Sequence, residues 1–404
     1  MLTQWFDPEP TFKGLAFARE LVRLGHTVQV LTGFPNYPGG TLYFGYKVRL
    51  LQRETIDGIS IIRVPLYPSH DGSVLKRICN YLSFAFSAAL LGPLLVRQAD
   101  VVYVYHPPAT VALPAMMLKL LRGMPFVYDI QDLWPDTLEV TGMLNNQWIL
   151  KRVDMWCHLT YRCADQIVVL SPGFKKILRE RGVPEEKICV IYNWCDEGQI
   201  TAEERSVAAQ REPEMAGRFN IVFAGTMGKA QALDSVLEAA ELVAARMPQV
   251  QFVFIGGGID VERLKQIKTQ KKLDNVLFLP RRPVSKMGSA LNLADLLLVH
   301  LKDDPLFEIT LPSKTQAYLA AGRPILIAVR GDAADLVEKA GAGISCIPED
   351  AVSIAAAVEK LVAMTLEERD EMGRRGAIYY QQELSLAVGV NRFEKLFKAV
   401  IQKS

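Results

Sequence analysis

The chain has no Cys-x-x-Cys pair. Its six cysteines, Cys79, Cys157, Cys163, Cys189, Cys195 and Cys346, are scattered with no metal-ligand spacing, so neither a zinc site nor a disulfide framework is indicated and reduced thiols are expected. Dense basic blocks are also missing. Lys/Arg runs are no longer than pairs such as Lys175-Lys176 and Arg281-Arg282, and a net charge of +2 with a pI near 8.1 gives no ground for a nucleic-acid partner. The N-terminus lacks a basic region followed by a long apolar run, which excludes a recognisable secretory signal and places the expected location in the cytoplasm. Repeats and low-complexity tracts are absent. One largely apolar stretch remains, Ile78 to Val96, bracketed by Lys76-Arg77 and Arg97. Asn80, Ser83, Ser87 and Pro93 interrupt it, so it reads as a helix inside a domain or lying on a membrane surface, not as a span.

What is present is apolar material in abundance: 404 residues, 50% of them hydrophobic and 22% charged, enough for two domains with separate cores. Short apolar runs alternate with longer amphipathic stretches, the rhythm of parallel α/β layering. In the first half the expected strands are 27–32, 59–64, 101–105, 126–130 and 166–170. The rhythm restarts at 220–224 and continues through 251–255, 276–279, 296–298 and 324–328. Between the halves, a stretch rich in Glu, Arg, Ala and Gln reads as a linker. The expected organisation is therefore a doubly wound Rossmann-like domain over 1–196, a linker at 197–218 and a second such domain over 219–383. The amphipathic segment 384–404 is expected to pack back on the first domain. Ligand sites in such domains lie at the carboxyl ends of the strands, so the site is expected in a cleft between them. Met1-Leu2-Thr3 is a thin start for a central strand, and a few upstream residues are expected to be missing.

The residues with the most chemistry cluster at strand ends. Glu308, then Leu311-Pro312-Ser313-Lys314, then Ala321-Gly322-Arg323-Pro324 put a carboxylate, a helix start and a buried strand in sequence. Pro312 suits the first turn of a helix, Ser313 can cap it, and the free N–H groups with Lys314 would attract a diphosphate. Glu308 could accept hydrogen bonds from sugar hydroxyls. Two Gly-containing turns allow phosphate to approach the backbone: Thr11-Phe12-Lys13-Gly14, and Ala224-Gly225-Thr226-Met227-Gly228-Lys229, where Gly225 and Gly228 precede a helix and Lys229 adds charge. Neither is a Walker loop or a dinucleotide fingerprint; no Gly-x-Gly-x-x-Gly follows the first strand, which argues against a dehydrogenase. In the first half His106 and Asp132 end successive strands. The former could hydrogen-bond a sugar or phosphate, and the latter could take a proton from an acceptor hydroxyl. Taken singly, each of these features is also an ordinary turn, cap or loop.

Together they resemble something specific. Gln4-Trp5-Phe6-Asp7-Pro8-Glu9-Pro10, Gly25-His26, the run from Leu31 to Pro38, Gln131-Asp132-Leu133-Trp134-Pro135, Ser171-Pro172-Gly173-Phe174, Ile191-Tyr192-Asn193-Trp194, the run from Ala224 to Gln231 and Pro312-Ser313-Lys314 span nearly the whole chain. In that order they resemble the retaining GT-B glycosyltransferases of family 4, and more narrowly the WbuB-type fucosaminyltransferases of O-antigen and capsule biosynthesis. The resemblance implies transfer of an N-acetylated sugar such as N-acetyl-L-fucosamine from a UDP-sugar donor to a polyprenyl-diphosphate-linked glycan, without a metal or other cofactor and with peripheral contact at the inner face of the plasma membrane. It implies that Lys229 and Lys314 stabilise the departing diphosphate, helped by N–H groups near Gly14 and at Ser313. Glu308 would then contact the donor sugar, His106 would face it, and Asp132 would be the acceptor-side carboxylate.

Two departures from the family pattern stand out. Thr226 lies where the family often has an arginine before its phosphate lysine, and Gln316-Ala317 lies where it usually has a ribose-binding glutamate, leaving Gln316 as the ribose contact. A nucleotide-sugar 2-epimerase of the same architecture, or a non-catalytic sugar-binding subunit, would share these features.

Overall fold

In the computed structural model, which describes residues 1–69, 74–140, 142–144, 146–199, 205–283 and 287–403, the chain divides into two units. One comprises Met1–Tyr192 with Gly389–Ser404, the other Asn193–Val388. Among the described residues the first unit holds β1 (Leu2–Thr3), β2 (Gln29–Thr32), β3 (Gln52–Ile56), β4 (Ile59–Arg63), β5 (Val102–Tyr105), β6 (Phe126–Ile130), β7 (Gln166–Val169) and β8 (Ile188–Val190). They form one sheet in the order β3-β4-β2-β1-β5-β6-β7-β8, parallel except where β3 runs antiparallel to β4. The second unit holds β9 (Phe219–Thr226), β10 (Val250–Gly257), β11 (Val276–Pro280), β12 (Leu296–His300), β13 (Ile325–Ala328) and β14 (Gly343–Ser345). These form an all-parallel sheet ordered β11-β10-β9-β12-β13-β14.

Both are doubly wound α/β layers, and the sequence shows why. The central strands are runs without polar alternation, such as Leu296-Leu297-Leu298-Val299, and every one of those side chains is buried because helices cover both faces. Strand β3, which the apolar rhythm does not mark, is polar along its length and sits at the sheet edge, where alternate side chains meet solvent. Its turn is legible even so: Asp57 and Gly58 both have positive φ, 50° and 79°, as a two-residue hairpin turn of the mirror-image type requires.

Strand order reverses between β1 and β5 in the first unit and between β9 and β12 in the second, and the carboxyl ends beside such reversals are where this layering leaves room for ligands. In the first unit the turn after β1 leads into α1 (Leu15–Arg23), the apolar stretch forms α2 (Val74–Leu95), and α3 (Ala112–Arg122) follows β5. The C-terminal helix Leu386–Ile401 carries the chain back into the first unit, where Phe393 meets Phe17 and Tyr103 edge-on at 5.2 and 5.4 Å.

The segment read as a linker is folded. Its described part contains the helix Arg205–Arg211 and a short turn at Pro213–Met215, and both belong to the second unit. Glu212, 4% exposed, binds Arg282 and accepts from Ser289 Oγ at 3.0 Å, which seals the segment onto its own domain. Its polar composition reflects a helix with one solvent face. The passage between the units falls earlier, at Tyr192–Asn193.

Candidate active site

In the second unit a cavity of about 290 Å³ opens at the carboxyl ends of β9, β10 and β11. Its floor is made of backbone in unusual conformations. Gly225, Gly256 and Gly258 have φ of +140°, +151° and +147°, and a Cβ on Gly256 would lie 1.9 Å from the Gly225 carbonyl oxygen. Only glycine allows the two strand-end loops to touch in this way. The Met227 N–H donates to Gly257 O at 2.8 Å and ties them together. Tyr318 closes one side: its hydroxyl accepts from Ala224 N at 2.8 Å and donates to Ala224 O at 3.3 Å.

Lys314 stands at this wall in the second residue of the helix Ser313–Ala321. Its ammonium lies 3.4 Å from the centroid of the Phe223 ring, is shielded from solvent and has no hydrogen-bond partner among the described residues. Burial therefore pushes its pKa down from 10.5 to about 7. A cation held so, with only a ring face for compensation, favours any anion that enters the cavity. Arg281 and Arg282 also line the cavity just past β11. Sequence reading noticed this pair only as a small basic block. Its position directly after a strand was the signal that could have assigned it to the site.

The other second-unit candidates separate. Gly225 lines the cavity, whereas Gly228, whose N–H donates to Gln231 Oε1 at 3.0 Å, starts the short turn Lys229–Gln231 outside it. Lys229 on that turn is exposed and does not line the cavity. The turn itself is firmly held. Buried His300 donates from Nδ1 to Gln231 O at 2.7 Å and accepts at Nε2 from Glu349 N at 3.2 Å, and burial pushes its pKa down to about 4, keeping it neutral.

Glu308 ends the short helix Pro305–Glu308 with its side chain exposed and outside the cavity lining, its carbonyl pressed against Gly331. Ser313 is not the cap. Pro312, with φ −59° and ψ 131°, occupies that position, so Ser313 becomes the first helical residue and its hydroxyl makes no cap bond. Gln316 is corrected as well: it is 2% exposed, and its amide nitrogen, oriented as the surrounding carbonyls demand, donates to Pro312 O at 2.9 Å and Ser313 O at 3.1 Å. The helix turns Ala317 toward the cavity in its place.

The first unit assembles a second polar cluster at the β1/β5 reversal. Gly14 packs so closely that a Cβ would lie 2.3 Å from Asp7 Oδ2, the atom that accepts the first helical N–H, from Leu15, at 2.7 Å. Next to it Lys13, fully buried, forms an ion pair with Asp129 at 2.7 Å, and Asp129 also accepts from Tyr103 Oη at 2.5 Å and Gln131 Nε2 at 2.8 Å. Sequence reading missed this pair because its members lie far apart in the chain and each is unremarkable alone.

His106 is 2% exposed, sits edge-on to Tyr128 and Trp134, and has no partner at Nδ1. Desolvation pushes its pKa down to about 3, so it is a neutral imidazole able to hydrogen-bond but not to carry charge. Asp132 is buried enough that its pKa rises to about 6; around it the phenol pKa values of Tyr37, Tyr81 and Tyr105 are raised mainly by burial, with the Asp132 charge adding to the rise. Glu9 is a second carboxylate whose pKa is raised. It accepts from the N–H groups of Phe6, Asn36 and Tyr37, yet burial outweighs those bonds and lifts it to about 7.

Comparison with known proteins decides what two such units make. Residues 15–194 match the family described as Glycosyl transferase 4-like domain, and residues 205–378 match Glycosyl transferases group 1. The chain is a nucleotide-sugar-dependent glycosyltransferase of GT-B family 4. It is 25% identical over 328 residues to the probable glycosyltransferase WbjE of Pseudomonas aeruginosa, covering 80% of each chain. It is 26% identical over 311 residues to the putative colanic acid biosynthesis glycosyl transferase WcaI of Escherichia coli K12, covering 75% of each. Among solved structures, Anabaena HepE in complex with UDP and glucose shares the fold, with a TM-score of 0.68 at 15% identity over 98% of both chains. In this glycosyltransferase, the matched families thus divide near the passage between the two folded units.

Proposed function

We propose that the enzyme moves an N-acetylated sugar, N-acetyl-L-fucosamine being the leading candidate, from UDP to a polyprenyl-diphosphate-linked precursor of a surface polysaccharide, with retention at the anomeric carbon. The observation that carries this reading is the Lys314 ammonium, stripped of partners at the wall of a strand-end cavity beside Arg281 and Arg282. Breaking the bond from sugar to diphosphate places new negative charge on the leaving group, and fixed cations in a site shielded from water stabilise it strongly. Protein cations supply that charge here, so no metal or other cofactor is part of the proposal. The N–H groups at Ser313 and Gly225 approach the same anion. Glu308 and Lys229 keep subsidiary roles, as a sugar contact and as an outer charge that attracts the donor.

On the acceptor side, His106 serves as a neutral hydrogen-bonding group and Asp132 as the carboxylate that orients or deprotonates the attacking hydroxyl. The relatives named for colanic acid and for glycosyl transfer, and the WbuB-like motifs, support a role in O-antigen or capsule assembly at the inner face of the plasma membrane. Incubation with UDP-, GDP- and TDP-sugars and a panel of lipid-diphosphate acceptors, followed by mass spectrometry, tests the whole reading. An acceptor heavier by one N-acetylated deoxyhexose, formed from the UDP donor only, is the expected product. Donor conversion without any acceptor would instead reveal a 2-epimerase.

A further inference from the structure

We propose that the outer face of α2, with the C-terminal end of α3, is a docking surface for an anionic phospholipid bilayer, on which α2 lies flat. This surface takes its purpose from the lipid-linked acceptor proposed above, but its chemistry stands on the first unit alone.

Helix α2 is, by length and composition, long and apolar enough to cross a membrane. Its inner side forbids that. Asn80 is fully buried, accepts from Gln4 Nε2 at 2.5 Å, and donates to Asn36 Oδ1 at 3.1 Å and Tyr67 O at 2.7 Å. Pulling the helix into lipid would orphan four polar groups at once. The outer side has the opposite character. Ile78, Leu82, Phe86, Leu90 and Leu94 recur every fourth residue and are 38 to 81% exposed. A helix meant to face water carries charge at such positions.

The stripe continues onto α3. Arg122 donates to the carbonyls of Pro93 and Val96, which brings Leu120 and Leu121, 77% and 57% exposed, to the C-terminal end of α2. Charge settles which partner fits. No Asp or Glu occurs from Val74 to Gln98 or from Val102 to Tyr128, while Lys76, Arg77 and Arg97 flank the two ends of the stripe. An apolar ridge with bases at its ends and no carboxylate matches acyl chains beneath phosphate headgroups. A second copy packed through the same face would bring only bases to the rim, with no acids from these helices to meet them.

Flotation of the full-length enzyme with vesicles, in the absence of donor and acceptor, tests the surface. Vesicles of phosphatidylcholine with about one third phosphatidylglycerol should bind the protein, and pure phosphatidylcholine should bind it roughly 30-fold less or weaker still, given two to three bases at the interface. Phe86→Glu with Leu90→Glu, and separately Lys76→Glu with Arg77→Glu, should each weaken binding about tenfold or more while thermal unfolding stays near that of the parent. Equal binding by parent and variants, or no binding by the parent, overturns the proposal. So does a dimer on gel filtration that Phe86→Glu dissolves, since it assigns the ridge to a second copy. Transfer to a detergent-dispersed lipid-diphosphate acceptor separates the two readings. Vesicle binding that requires the stripe, without any transfer, leaves the surface standing and removes the acceptor, and transfer without vesicle binding does the reverse.

Discussion

Each unit shields a lysine ammonium from solvent, Lys13 in the first and Lys314 in the second, and the two are treated in opposite ways. Lys13 is locked to Asp129 at 2.7 Å, and its ammonium also lies 4.9 Å from the Phe393 ring of the C-terminal helix. Lys314 has only the Phe223 ring. Burial lowers the pKa of both, but at Lys13 the neighbouring Asp129 charge and hydrogen bond pull back against it, and at Lys314 nothing does. A satisfied buried pair holds a fold together locally, whereas an unsatisfied buried cation is a cost the fold bears for a ligand. Lys13 is thus held by a structural pair, whereas the proposed chemical role of Lys314 rests on its lack of one.

The contrast can be broken experimentally. The largest expected effect is on stability: Asp129→Ala takes the counter-charge from buried Lys13 and should cost about 3–5 kcal/mol in urea unfolding. Lys13→Met combined with Asp129→Leu should recover most of that loss, because both charges are then gone. Lys314→Ala should do the reverse, lowering turnover about 10²–10³-fold, as loss of one fixed donor to a developing anion does, with no loss of stability. Unchanged turnover would remove it from the mechanism.

Lys314→Met should even stabilise the protein below pH 7. The folded-state pKa of Lys314 is depressed to about 7. Between pH 7 and 10.5 the unfolded chain therefore holds a proton that the folded chain has shed, so stability rises with pH across that window and the full cost of the buried cation is present below it. A gain on the order of 2 kcal/mol at pH 6 that fades toward pH 10 is the expected signature in thermal melts.

Smaller effects sharpen the same distinction. As Lys314 deprotonates above about pH 7, the donor KM should climb toward pH 9, and Lys314→Arg should flatten the rise. On the acceptor side Asp132 ionises only above about pH 6, so the rate should fall below that pH in the parent, and Asp132→Asn should lose the limb along with most of the rate. His106, neutral down to about pH 3, should contribute no limb of its own. Lys229→Ala is the mildest, expected to change turnover less than about tenfold because an exposed cation is screened by water and salt.

The strands were legible wherever they are central. Runs such as Val101 to Tyr105 or Pro324 to Ala328 are apolar because helices cover both faces, and that demand is written residue by residue. Of the edge elements only β11, an apolar run, was legible: β3 is polar, and β8 and β14 are three residues each, too short to carry a pattern. The 197–218 segment misled because a helix with one wet face and a linker share a composition.

The sequence by itself determined two parallel α/β layers, the helix-start position of Lys314 and the glycines at the end of β9, since period, turn chemistry and glycine requirements are local. Only the tertiary structure decided which polar groups find partners. Asp129 reaches Lys13 across 116 positions, Gln316 turns back on its own helix start, and Arg281 and Arg282 come to the cavity that Lys229 does not line. Pairing is a property of distance in space, and a buried charge becomes structural or chemical according to whether folding brings it a counter-ion.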